Sequence, residues 1–255
     1  MNYPAVSVDS YLLAVINQHA ASIGETRALE MRQAFFDALK LESFGRYLED
    51  VIPSGSHAKG TAIKGKSDLD LFLSFAQNCP LSLSDLYAGV LSFAERYKLN
   101  PSEQRVSIGI SYQGLSIDLV PGHRQNAYTS DHSIHLVSGG DWLKTNIEKQ
   151  IQFVRQANRA AEIRAFKIWK EQKSLDFPSC LAELVVIEAL KSTTDLSIAK
   201  RCNVVLAFLQ NEFQWRTFPD PGKQSHDIGE DIGNDAKQAI KRAASAIRNW
   251  SEFIS

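Results

Sequence analysis

The hydrophobic pattern changes period along the chain, and each change marks an element. From residue 7 to about 49 apolar residues recur at helical spacing. Ser7 or Asp9 can cap the start, and Leu12, Val15, Ile16 and His19 share one face. Gly24 breaks or bends the run, and a second helix carries Leu29, Met31, Phe35, Phe36, Leu39 and Leu41. Val51-Ile52 then leads into a turn at Gly55-Ser56. The period shortens to two at Asp68-Leu69-Asp70-Leu71-Phe72-Leu73, which predicts a strand over Leu69–Phe75, ended by Gln77-Asn78 and Pro80. Ser82 or Ser84 starts a helix through Leu86, Val90, Phe93 and Tyr97. Residues 104–112 alternate Val106, Ile108 and Ile110 with polar neighbours, Gln113-Gly114 turns, and 115–120 returns until Pro121-Gly122 stops it. A weaker strand is expected near 134–137, before Gly139-Gly140.

From Asp141 onward the spacing is helical, with helices expected at about 145–157, 159–173, 179–191, 195–211 and 234–253. The shift near residue 140 predicts an α+β chain in two lobes. Residues 1–140 form a mixed-sheet lobe with N-terminal helices, and 141–255 form a helical lobe.

At 255 residues and 44% hydrophobic, the chain can bury a substantial core. Its formal net charge of −1 means that a nucleic-acid partner would need a local basic patch. Cys79, Cys180 and Cys202 lie far apart with no CxxC spacing, so they read as reduced thiols. The N-terminus lacks a secretory-signal pattern. No apolar run approaches the roughly 20 residues that span a bilayer. The expectation is a cytoplasmic protein with no membrane partner.

The candidate chemistry lies in residues 53–75, which support two incompatible readings. Gly60-Thr61-Ala62-Ile63-Lys64-Gly65-Lys66-Ser67 matches the P-loop pattern G-x-x-x-x-G-K-[ST]. A P-loop must open a helix whose amides converge on the phosphates. Here a period-two segment follows, which argues against it. The second reading uses that strand. Side chains two apart on a strand share a face about 6–7 Å apart. Asp68 and Asp70 therefore point together, while Leu69, Leu71 and Leu73 point into a core. Two such carboxylates repel unless a cation lies between them, and Mg²⁺ suits hard oxygen ligands. A lone D-x-D also fits a solvated strand edge. Asp118, inside the returning hairpin strand where Asp is depleted, shifts the balance. If that strand pairs beside Leu69–Phe75, three carboxylates meet. Two divalent cations there would leave a net positive site for a triphosphate, the arrangement of two-metal nucleotidyl transfer.

Gly55-Ser56-His57-Ala58-Lys59-Gly60-Thr61, then Ser67-Asp68-Leu69-Asp70, then Asp118 in a later strand resemble the polymerase-beta-like nucleotidyltransferase superfamily. The Gly-Ser-x-x-x-Gly-Thr form is similar to the branch of CCA-adding enzymes, oligoadenylate synthases and the cGAS/DncV-like enzymes (CD-NTases) of bacterial defence. In the helical half, Phe166-Lys167-Ile168-Trp169 resembles that branch's Lys-x-Trp helix, and Ser179-Cys180-Leu181-Ala182-Glu183 its Ser-Tyr-x-x-Glu segment. Asp220-Pro221 and Asp227-Ile228-Gly229 resemble its usual ending. The resemblance spans about residues 53–253.

It implies a nucleotidyltransferase lobe closed by a helical lobe. Gly55 and Ser56 would bind the β and γ phosphates. Asp68 and Asp70 would bind two Mg²⁺ or Mn²⁺ ions. Asp118 would bind the catalytic ion and favour deprotonation of the acceptor hydroxyl. Lys167 would reach the triphosphate, with Ser179 nearby. Cys180 departs from the family's tyrosine and puts the contacts of that ring in doubt. The implied substrates are NTPs, ATP first, with a regulatory protein as a further partner. The implied product is a cyclic oligonucleotide second messenger. An RNA acceptor, as for CCA-adding enzymes, is the alternative, and a catalytically silent nucleotide sensor is the third reading.

Other polar positions carry less. His132-x-x-His135 reads as solvent-facing strand polars, because no further ligands stand at matching spacing. His57 either touches a phosphate or base or stabilises its turn. Lys59, Lys64 and Lys66 either raise the potential near the site or simply solvate a loop.

Overall fold

The structure is a computed structural model that describes residues 7–21, 23–137 and 141–255. In chain order the elements are α1 (Val8–His19), α2 (Glu25–Lys40), β1 (Leu48–Ser54), α3 (Gly55–Lys59), β2 (Leu69–Phe75), α4 (Leu83–Arg96), β3 (Ser102–Glu103), β4 (Ile108–Tyr112), β5 (Leu115–Arg124), β6 (His132–His135) and β7 (Trp142–Thr145). Then come α5 (Ile147–Ala157), α6 (Ala160–Gln172), α7 (Ser179–Ala189), α8 (Ile198–Asn211), β8 (Pro219–Asp220), β9 (Lys223–Asp227), α9 (Asn234–Ala246) and α10 (Trp250–Phe253). Side-chain caps fix several starts. The Ser7 hydroxyl accepts from the Ser10 amide at 3.1 Å, the Ser82 hydroxyl from Asp85 at 3.1 Å, and Asn146 Oδ1 from Lys149 at 3.0 Å. Each satisfies an amide that the first helical turn leaves unpaired.

Among the described residues one mixed sheet runs in the order β1-β2-β5-β4-β3, with β6 pairing the far half of β5 and β7 pairing β6. The β2–β5 pair is parallel, and the other neighbours are antiparallel. Leu69, Leu71, Leu73 and Phe75 alternate onto one face and pack with Met31, Phe35 and Leu39 of α2 and Leu86, Val90 and Phe93 of α4. That leaves the other face of β2 for Asp70. A second core unites α1 with the helices after residue 147. Leu12, Val15 and Ile16 pack there, and the Tyr11 hydroxyl donates to the Ile254 carbonyl at 2.9 Å. The start and end of the chain are therefore tied together in the helical lobe.

Several elements differ from the sequence reading. Val51-Ile52 lies within β1 rather than in a lead-in, and Gly55-Ser56 opens a short helix rather than a turn. β5 runs through Pro121-Gly122 to Arg124. Pro121 falls where that edge of β5 changes partner, between the Leu119–Ile108 pair and the Gly122–Ile134 pair, so its missing N–H costs no bond there. Trp142–Thr145 extends the sheet beyond residue 140, and β8–β9 forms a hairpin inside the helical half. These strands are too short to impose a period on the sequence. The Gly139-Gly140 break lies outside the described residues.

Candidate active site

Asp70 is the second residue of β2. It registers with Asp118 on one side, across the parallel ladder, and with Ser54 of β1 on the other. Neighbouring strands lie about 4.8 Å apart, and both aspartates stand on the face opposite the leucine core. Asp68 lies one residue before β2 and is exposed. Burial, and next the charge of Asp118, push the Asp70 carboxyl up to about 6, with Asp68 adding to the rise. Burial and Asp68 likewise push Asp118 up. Gln104 Nε2 donates to Asp118 Oδ1 at 2.9 Å, and the Ser107 hydroxyl donates to Oδ2 at 3.4 Å; both offset part of that rise.

Among the described residues no three His, Cys, Asp or Glu side chains already converge as a finished metal site. The donor set nevertheless fits a hard divalent cation. It offers carboxylate oxygens alone, and their mutual repulsion is what a cation relieves.

Gly55 closes against Asp70. Its φ is +61°, in the left-handed region, and a Cβ built there would stand 1.7 Å from Asp70 Oδ2. Glycine satisfies both demands, the backbone conformation and the close approach. The α3 helix starts at this glycine, and Gly60, with φ +74°, caps its end.

Behind α3, side chains of α3, α6 and α7 meet with Thr61 in a buried polar cluster. Glu183 of α7 accepts from Lys167 Nζ of α6 at 2.6 Å, from Lys59 Nζ of α3 at 2.9 Å and from the Thr61 hydroxyl at 2.7 Å. Lys167 Nζ also donates to Thr61 Oγ1 at 3.1 Å. Lys167 and Glu183 are each 2% exposed. Burial alone would raise the Glu183 carboxyl, but Lys59 and Lys167 outweigh it and hold it at about 2. Burial lowers Lys167, against the pull of Glu183. For Lys59 burial acts in the same sense, yet Glu183 prevails and raises it. One carboxylate thus serves two ammonium groups, and the surplus positive charge lies close enough to lower Asp70.

No protein-family model matches the chain. A curated relative, the cyclic AMP-AMP-AMP synthase of Escherichia coli (strain MS 115-1), is 28% identical over 175 residues. The match takes in 59% of this chain and 53% of that protein, so the chain spans about half the length of that relative. Solved structures match far more of it. The CdnC of E. coli MS115-1, determined with ATP and also in complex with HORMA-deltaN, superposes with a TM-score of 0.74 at 20% identity, over 93% of this chain and 89% of its own. The Bradyrhizobium diazoefficiens CD-NTase CdnG, determined with GTP, gives a TM-score of 0.76 at 12% identity, over 95% and 91%. The chain therefore has the fold of these CD-NTases. The mixed sheet with its helical portion agrees with the expected α+β class.

Within this CD-NTase fold the predicted site residues fall at different depths. Asp70, Asp118 and Gly55 are brought together directly, and Asp68 adds its charge from the edge. Ser56 is the second residue of α3, and Ser179 is the exposed first residue of α7. Lys167 lies on the lobe boundary, held by Glu183 and Thr61. The P-loop reading finds no helix to carry it. Residue 67 leads to β2, the Ser67 hydroxyl accepts from the Ile63 amide at 3.0 Å, and Lys66 stands 3.5 Å from Glu171 at the surface.

His132 corrects the expectation of a solvent-facing polar. It is buried at 2% exposure, with Nε2 2.8 Å from the Ser74 hydroxyl, Nδ1 3.0 Å from the Ser130 carbonyl, and its ring edge-on to Phe72. His132 stands two residues before Ile134, on the same buried face of β6, where Phe72 and Ser74 of β2 close over it, while Ser133 and His135 on the other face are half-buried. Sequence reasoning also missed Gln104 and Ser107 beside Asp118, and it gave Thr61 and Glu183 no role. Gln104 and Ser107 come from the segment that leads into β4, next to Asp118 only once the hairpin pairs, and Thr61 and Glu183 are 122 residues apart, so no local pattern links either pair to the site.

Proposed function

We propose that this chain is a metal-dependent nucleotidyltransferase that joins NTPs into a cyclic oligonucleotide second messenger and releases pyrophosphate. The observation that carries the reading is the register of Asp70 with Asp118 beneath Gly55, with the surplus charge of Lys59 and Lys167 behind it. Asp68, Asp70 and Asp118 would hold the divalent cations, two Mg²⁺ ions in this reading. When bound, these would neutralise the carboxylates and stabilise charge on the attacking and leaving oxygens.

The remaining roles fall to the chain itself. Gly55 and Ser56 would bind the β and γ phosphates at the start of α3. The field of Lys59 and Lys167 would favour the triphosphate at that place. Asp118, whose carboxyl burial makes more basic, would favour loss of the proton from the attacking hydroxyl. Ser179 would approach the phosphates from the helical lobe. The sheet with α2 and α4, and the helical core that α1 joins, would act as the two walls of the nucleotide cleft, so the division falls neither before α1 nor at residue 140 but takes α1 to the helical side and β7 to the sheet. ATP is the first substrate in this reading, supported by the activity named for the E. coli relative. A regulatory protein partner is supported by the HORMA-deltaN complex of CdnC.

Incubation with each NTP and Mg²⁺, with and without an oligonucleotide, tests the proposal. It expects a labelled product that phosphatase leaves intact because it has no free ends. Label appearing only on the added oligonucleotide would overturn the cyclic product.

A further inference from the structure

A cavity of about 650 Å³ opens on the face of the β1–β2 pair opposite Asp70 and Asp118. Pro53 and Leu69 line its floor, one residue out of phase with Ser54 and Asp70, so the strands themselves separate it from Asp70 and Asp118, while Asp68 lies in the adjoining groove. The walls come from α2 with Leu29, α3 with His57, α5 with Arg155 and α6 with Arg164. Its size falls in the range of roughly 300–1,000 Å³ typical of small-molecule sites.

Two observations give the cavity a chemistry. Arg164 lines the cavity, and among the described residues its side chain makes no hydrogen bond or ion pair, although burial already acts against its charge. Arg155 lines the same cavity, and among the described residues no acidic side chain lines the walls. The rest of the lining is almost wholly apolar. We infer that this cavity binds a small molecule with one anionic group, phosphate or carboxylate, on an apolar body. The guanidinium of Arg164 would take the anion in a fork, Arg155 would add a second positive charge, and the apolar walls would cover the body.

The position couples such a ligand to α3. Arg155 Nε donates to the Ala58 carbonyl at 2.7 Å, which fastens α5 to the last turn of the helix whose first residue touches Asp70. His57 lines both this cavity and the neighbouring groove that contains Ser67 and Asp68. A ligand that engages Arg155 therefore acts on the element that places Gly55 against Asp70.

Calorimetric titration with 1-naphthyl phosphate and with 1-naphthoate tests the inference. It is run in EDTA so that no divalent cation assists binding at the carboxylates. Wild type is expected to bind at least one of the two at one site per chain, and Arg164→Gln to bind it at least tenfold more weakly. Leu29→Trp, at a half-exposed helix position that does not threaten folding, should also block the site by bulk alone. Preference between the two probes identifies the anion. Equal binding by wild type and Arg164→Gln, or no binding of either probe by wild type, would overturn the site. Because the readout is binding without metal, it stands apart from whether the protein transfers nucleotides.

Discussion

Asp70 and Asp118 lie opposite one another on parallel neighbouring strands, both on the face turned away from the leucine core. Burial, and after it the charge of Asp118, carries Asp70 from 3.8 up to about 6. A raised carboxyl binds its proton more tightly in the folded state, so without metal the protein loses stability as pH rises from about 4 to 6. A two-unit shift corresponds to about 3 kcal/mol. Urea unfolding in EDTA between pH 4 and 7 should show this slope. Asp70→Asn should flatten it and be more stable than wild type at pH 7. An unchanged slope in the variant would remove Asp70 as its source.

Gly55→Ala should be more damaging than its size suggests. The added methyl meets Asp70 Oδ2, and the backbone at φ +61° disfavours any side chain. We expect pyrophosphate release to fall by at least about 100-fold, on the order of 3 kcal/mol in the barrier. Circular dichroism should remain native. Near-normal release would mean that α3 and Asp70 need not touch.

Glu183 is the one carboxylate between Lys59 and Lys167, so Glu183→Gln leaves two buried ammonium groups without their counter-ion. Loss of one partner from a buried ion pair costs about 3–5 kcal/mol. Guanidinium denaturation at pH 7 measures that loss. The pH dependence has the opposite sign to that of Asp70. With its carboxyl held at about 2 against 4.5, Glu183 contributes stability that is complete above about pH 4.5 and is lost as pH falls toward 2. Acid unfolding of the variant should lack this component.

Lys66 is the lysine that the P-loop pattern would make indispensable. Among the described residues its side chain reaches only Glu171, at 3.5 Å, with more than half of it exposed. Lys66→Ala should keep near-wild-type turnover and shift stability by less than about 1 kcal/mol, as exposed ion pairs do. Steady-state kinetics would detect the alternative, a dead enzyme.

The parts of this site that alternate within one segment were legible in the sequence. Leu69–Phe75 shows its strand through apolar residues at period two, and the same alternation separates Asp70 from the core. Asp118 stood out because a carboxylate interrupts an apolar strand. β1 was harder to see, since Glu49, Asp50 and Pro53 blur its pattern and its partner supplies the order. The Lys59–Thr61–Glu183–Lys167 cluster is a product of lobe packing, spanning more than 120 residues between Lys59 and Glu183, and no local period encodes it. His132 shows the same limit in reverse, a polar residue whose burial depends on Ser74 and Phe72 from another strand.

In the proposed reaction Asp68, Asp70 and Asp118 serve transfer at the α-phosphate. The most direct measurement follows ATP labelled at either the α or the γ phosphate, with Mg²⁺, for wild type, Asp70→Asn and Asp118→Asn. The account predicts that wild type moves the α label into a phosphatase-resistant product and releases the γ label as pyrophosphate, and that both variants do neither. Release of the γ label as orthophosphate alone, or wild-type product formation by either variant, would contradict it.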